Sequence, residues 1–163
     1  MQLLFNKDIQ KGSSIDRDIL LTLSNKRNAN YIGANINVIY IYSLVDADIP
    51  YPKMNGNILY IGEACRQNST GIRFSQHIGS KEFEGMNSNV NYSLHSYYWL
   101  GYKINLKIYD IGQVDTPERK NFEKQLITSH VKKYGATPLS QGTSSYKISK
   151  VNSLDITEVN ELI

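Results

Sequence analysis

The octapeptide "NILYIGEA", residues 57–64, carries an apolar run closed by one glycine, Gly62. Its Tyr-Ile-Gly also occurs upstream in "ANYIGAN", residues 29–35. The flanks separate the two copies. Residues 28–37, "NANYIGANIN", are rich in Asn and Gly and read as a loop. Residues 58–64 are β-branched and aromatic and read as a strand, preceded by a second such run, "VIYIYSLV" (38–45). Between the runs, "DADIPYPKMNGN" (46–57) is turn material with two prolines and an Asn-Gly pair. The two runs form a hairpin with a long connection, and the first Tyr-Ile-Gly reads as chance.

Further along, "STGIRFSQHIG" (69–79) suits a short helix stopped by Gly79, and "SKEFEGMNSN" (80–89) reads as a loop or fragmentary helix. The stretch "VNYSLHSYYWLG" (90–101) fits a helix or a strand equally. In "KINLKIYDI" (103–111), Ile104, Leu106 and Ile108 alternate with Lys103, Asn105 and Lys107, the pattern of a half-buried strand. The strongest helix signal is "TPERKNFEKQLITSHVKKYG" (116–135). Thr116 is placed to cap it, Pro117 opens its first turn, Glu118 meets the positive end, Lys132 and Lys133 the negative end, and Gly135 stops it. Upstream, "SSIDRDILLTLSNKR" (13–27) reads as a helix capped by Ser13, with Ile15, Ile19, Leu20 and Leu23 on one stripe. The expected fold is α+β: a small antiparallel three-stranded sheet flanked by helices. Residues 38–142 form its core, 1–37 a helical N-terminal extension and 143–163 a C-terminal extension of a single domain 1–163.

Composition bounds the chemistry. A chain of 163 residues buries roughly two thirds of its unfolded surface and needs no covalent staple. The single cysteine, Cys65, excludes an intrachain disulfide and reads as a small packed residue, and no Cys/His set has zinc-site spacing. The N-terminal "MQLLFNKDIQ" is not patterned as a signal peptide, and no apolar run approaches the ~20 residues of a membrane span. The default is a soluble cytoplasmic protein with no membrane partner. Net charge is +3, but residues 103–150 hold nine Lys/Arg against four acids, whereas 151–163 hold three acids and no base. Such a basic segment can meet a polyanion or be a solvated lysine-rich surface.

Tyr40 on the first strand, Tyr60 and Gly62 on the second, Arg73 and His77 in an Arg-x-x-x-His pattern, and Glu123 on the capped helix occur in that order. In this order and on these elements they resemble the GIY-YIG nuclease family over residues 38–142. Two departures are visible: "VIY" (38–40) has valine for the family's first glycine, and "TPLSQG" (137–142) offers Gln141 where the family often has asparagine. The tyrosines of the two motifs stand 20 positions apart, wider than in compact members, and residues 46–57 account for the excess. The resemblance implies a water-activating role for Tyr40, a water- or phosphate-positioning role for Tyr60, and metal binding by Glu123. Gly62 and Gln141 are implied as support.

The residues suit that chemistry. Arg73 and His77, four apart, share one helix face, and a guanidinium grips phosphate oxygens bidentately. Read alone, the pair is also a surface arginine over a packed histidine. Glu123 stands beside Phe122, Leu126 and Ile127, where a carboxylate is costly unless paired or bound to a metal. One carboxylate suits one Mg²⁺ that keeps several waters, with Mn²⁺ as a substitute, rather than a two-metal cluster. A phenol with a reference pKa near 10 is a poor base, so Tyr40 needs the help of the metal, Arg73 and His77. Twelve tyrosines keep plain aromatic packing open as the alternative for Tyr40 and Tyr60. Asp110, Asp115, His95 and His130 have no assigned role.

The expectation is a metal-dependent endonuclease acting on double-stranded DNA, of restriction or phage type, with Lys120, Lys132 and Lys133 as backbone contacts and dimerisation one route to cutting both strands. The alternatives are a catalytically inactive nucleic-acid-binding module of the same fold and an RNA-cleaving nuclease or toxin.

Overall fold

The computed structural model describes residues 1–66, 76–82 and 91–142. In chain order they form strand β1 (Gln2–Ile9), the single turn α1 (Ile19–Thr22), β2 (Ile36–Leu44), the two-residue strands β3 (Ile49–Pro50) and β4 (Asn55–Gly56), and β5 (Ile58–Arg66). Helix α2 (Tyr92–Trp99), β6 (Ile104–Asp110) and helix α3 (Thr116–Tyr134) follow. The class is α+β, with an antiparallel sheet of order β1-β6-β2-β5. The sheet has four strands rather than the expected three, because the N-terminus adds β1 to the edge of β6.

β1 carries little periodic signal. Only Phe5 and Ile9 of its eight residues are buried, and a register shift between Leu3 and Phe5 breaks the alternation. An edge strand with a solvated face reads as polar sequence. The helix expected over 13–27 shrinks to the four residues of α1, so most of the 1–37 extension is not helical. Its flanks prefer local side-chain bonds: Asp16 accepts from the Gly12 N–H, Asn25 from the Arg27 N–H and Asn28 from the Asn30 N–H. Such bonds offer the backbone an alternative to helix. Leu20 and Leu23 still reach the core.

β2 is buried on both faces from Asn37 to Tyr42, which is why the run "VIYIY" shows no polar alternation. On one face Val38, Tyr40, Tyr42, Ile104, Leu106 and Ile108 pack against Leu20, Leu23, Ile78, Leu94 and Tyr98. On the other, Ile39, Ile41, Ile61 and Tyr109 pack against Leu126 and Ile127 of α3. The ambiguous stretch 90–101 is helical: Asn91 caps it by accepting from the Leu94 N–H, and Leu94, His95 and Tyr98 face inward. The cap of α3 is Asp115, not Thr116. Its carboxylate accepts from the Glu118 N–H while Glu118 answers on the Asp115 N–H, a reciprocal box that a threonine one residue later cannot form. Gly135 ends the helix in the left-handed conformation, φ 85°.

The connection 46–57 is tied down. β3 pairs with β4, the Tyr51 hydroxyl donates to the Ile58 carbonyl at 2.6 Å, and the Tyr134 ring covers Gly56. Burial pushes the Tyr51 phenol up to about 12. Beneath lies His130, fully buried, its ring 4.8 Å from that of Tyr51 and 4.4 Å from that of Tyr134. Its Nδ1 bonds the Ala136 carbonyl at 2.8 Å, and burial, aided by Lys133, holds its pKa below the ordinary value. A group whose folded pKa is depressed costs stability once the unfolded chain starts to take the proton. Stability is therefore expected to fall as pH drops below about 6.5, by at most about 1.4 kcal/mol per pH unit, until the folded value is reached. Denaturant melts of the wild type and His130→Leu between pH 7 and 5 check this. The stability difference should move steadily in favour of the leucine variant, and parallel curves would refute it.

Candidate active site

The pairing of β2 with β5 places Tyr40 opposite Gly62 and Tyr42 opposite Tyr60. The absence of a side chain at Gly62 is used fully. A Cβ there would lie 2.4 Å from Cζ and 2.5 Å from the hydroxyl oxygen of Tyr40, and 2.7 Å from Cε1 of Tyr60. The glycine of the second motif is thus the floor on which both tyrosine rings rest. Tyr40 is completely enclosed, and its hydroxyl lies 2.9 Å from Nε2 of His77, itself buried. The Tyr60 ring lies 5.9 Å from that of Tyr40 and 4.8 Å from the His77 ring, and Tyr60 is only half-buried. Tyr42 sets its edge against both Tyr40 and His77, each 6.2 Å away.

The structure therefore brings Tyr40, Tyr60, Gly62 and His77 into one cluster. Gln141 lies along the outer edge of β5, its side-chain oxygen accepting from the Ile61 N–H at 3.2 Å, while the Ser140 N–H donates to the Leu59 carbonyl at 2.8 Å. Tyr31 of the upstream copy sits in a loop, where the Ile32 N–H reaches the Leu23 carbonyl and Gly33 adopts φ 105°. Arg73 lies outside the described residues, as do most of the helix expected over 69–79, most of the 80–89 stretch and the C-terminal extension 143–163.

Glu123 comes from the opposite layer. It is half-buried on α3, the helix that packs on Ile39, Ile41 and Ile61 rather than on the Tyr40 face. Among the described residues no three of His, Cys, Asp and Glu converge. That donor set does not make a protein cage; a lone carboxylate fits a Mg²⁺ ion that retains most of its water. Lys120, Lys132 and Lys133 are exposed on α3; the Lys132 carbonyl accepts from the Lys53 ammonium, and the Lys133 ammonium lies over the Tyr134 ring.

Several residues were not anticipated from the sequence. Arg119, buried, donates to Glu63 and, at 2.9 Å, to Asn37, locking the first turn of α3 to β2 and β5 one helical turn before Glu123. Period-two alternation from Ile61 puts Glu63 on the α3 side of the sheet, which was legible; its partner, 56 residues on, was not. Removing Glu63 leaves the buried Arg119 charge without its carboxylate, which is where such pairs matter energetically. Cys65 is exposed rather than packed, since β5 is an edge strand at that end. In comparison with known proteins, no family model, no curated protein and no solved structure matches the chain at a significant level.

Proposed function

We propose that this chain is a metal-dependent endonuclease that hydrolyses DNA phosphodiester bonds, as its resemblance to GIY-YIG nucleases implies. The observation that carries the reading is the 2.9 Å contact between the Tyr40 hydroxyl and His77 Nε2, inside a cluster built from both motif strands. A phenol activates water only if its own proton has somewhere to go. His77 supplies that place: Tyr40 gives its proton to Nε2, and a water, once admitted past the half-buried Tyr60 to the enclosed Tyr40 oxygen, would give that oxygen its own. Arg73 grips the phosphate. The resemblance gives Glu123 a divalent ion that would supply charge neutralisation on the phosphate, although the helix of Glu123 packs on the face of the sheet opposite Tyr40 and His77. Lys120, Lys132 and Lys133 would meet the DNA backbone, and cutting both strands would take a dimer or two successive nicks.

A second reading, a nucleic-acid-binding module without catalysis, is favoured by the complete burial of Tyr40. Supercoiled plasmid incubated with and without Mg²⁺ separates the two. Under the nuclease reading, Tyr40→Phe and Tyr60→Phe each slow cleavage by about 10²-fold, the scale of losing a proton-transfer group, whereas Tyr31→Phe does not. Each substitution removes only a hydroxyl, so lost rate reports chemistry rather than folding. Equal, small effects at the three positions would identify the motif tyrosines as packing.

A further inference from the structure

The backbone that carries His77 is held from several sides. The His77 carbonyl accepts from the Asn91 N–H at 3.2 Å, and the Ile78 carbonyl from Nε of Arg17 at 3.2 Å. The Gly79 N–H donates to Nδ1 of His95 at 3.0 Å, and the Gly79 carbonyl accepts from Nε1 of Trp99 at 3.3 Å. Asn91, His95 and Trp99 are spaced four apart, one at the cap and two on α2, so one helix face supplies three of these four bonds. The Asn91 amide also donates to the Ser140 carbonyl at 2.6 Å, and the Ser140 N–H to the Leu59 carbonyl at 2.8 Å, which links the clamp to the residue before Tyr60.

We propose that this face of α2 positions His77 for proton acceptance from Tyr40, with His95 as the principal positioning residue. His95 is buried, and its two ring nitrogens have different partners: Nδ1 accepts from the Gly79 N–H and Nε2 lies 3.0 Å from the Glu82 carbonyl. Only the neutral ring protonated on Nε2 satisfies both partners. An apolar side chain would free the Gly79 N–H and release the turn that aims the His77 ring. An amide can restore an acceptor near the place of Nδ1.

The catalytic half of this inference rests on the nuclease reading; the geometric half does not. The test is ¹⁵N NMR of the His77 imidazole, which reports its tautomer and its bond to Tyr40, alongside single-turnover cleavage in wild type, His95→Leu, His95→Asn and Trp99→Phe. Tyr40→Phe identifies the signal of the broken bond. The expected result is that His95→Leu moves the His77 Nε2 resonance toward its position in Tyr40→Phe and lowers the single-turnover rate at saturating protein about 10–10²-fold, with the half-saturating concentration unchanged, the cost of about an ångström of misplacement. His95→Asn should recover most of both, and Trp99→Phe, which keeps the ring and removes one donor, should shift them in the same direction by less. Should His95→Leu fail to fold, the Trp99→Phe resonance decides. An unmoved His77 resonance in the variants that fold, with only a lower melting temperature, would overturn the clamp. Movement of the resonance in a protein that never cuts DNA would uphold the clamp and count against the nuclease.

Discussion

Glu123→Ala is expected to reduce Mg²⁺-dependent DNA cleavage by about 10²–10³-fold, the usual effect of removing one preorganised electrostatic element from a reaction centre. Folding should survive. Glu123 is half-buried, and the apolar contacts that seat α3 come from Phe122, Leu126 and Ile127 on Ile39, Ile41 and Ile61. DNA affinity should also hold, because the exposed lysines Lys120, Lys132 and Lys133 are untouched. Single-turnover cleavage over a range of Mg²⁺ concentrations, beside a binding isotherm and a melt, checks all three statements. Wild-type rate in the alanine variant would remove Glu123 from the site. Loss of rate accompanied by unfolding would instead mean that Glu123 holds the helix.

Gly62→Ala is expected to destabilise the fold by about 3 kcal/mol, at the upper end of overpacking costs, and to separate Tyr40 from His77. The added methyl would lie 2.4 Å from Tyr40 Cζ and 2.7 Å from Tyr60 Cε1; the half-buried Tyr60 ring can yield toward solvent, but Tyr40 cannot. Tyr40 is fully enclosed, edge-on to Tyr42 and bonded to His77. The matched control is Gly142→Ala, where a Cβ meets nothing within 4 Å. Urea melts of the two variants test the expectation directly. Equal stability, within about 0.5 kcal/mol, would show that the rings do not rest on Gly62 as described. Because the cost is steric, Gly62→Ser should behave like alanine.

How far these features were legible depends on where their determinants lie along the chain. β6 and α3 could be read from residues 103–135 because each declares itself locally: Ile104, Leu106 and Ile108 alternate, and Pro117, Lys132, Lys133 and Gly135 mark the helix ends. β2 and β5 followed from β-branched and aromatic runs, to within two residues at each end. The order Tyr40, Tyr60, Gly62, His77, Glu123 was enough to nominate a site. It could not place the members. The contact of Tyr40 with Gly62 depends on one register of β2 against β5, with a shift between Tyr42 and Ser43, and slipping that register by one residue would turn every side chain to the other face.

β1 stayed hidden because its partner strand begins some hundred residues later and only Phe5 and Ile9 are buried. The stretch 90–101 had no decisive period, since Leu94 and Tyr98 mark a helix only once the sheet beneath them is in place. His95, without an assignable role in the sequence, acquires one when Gly79 and Glu82 meet its two nitrogens. Residue chemistry and local period are properties of neighbouring positions. Strand partners, ring contacts and the bonds that hold His77 belong to segments distant along the chain, and packing alone brings those together.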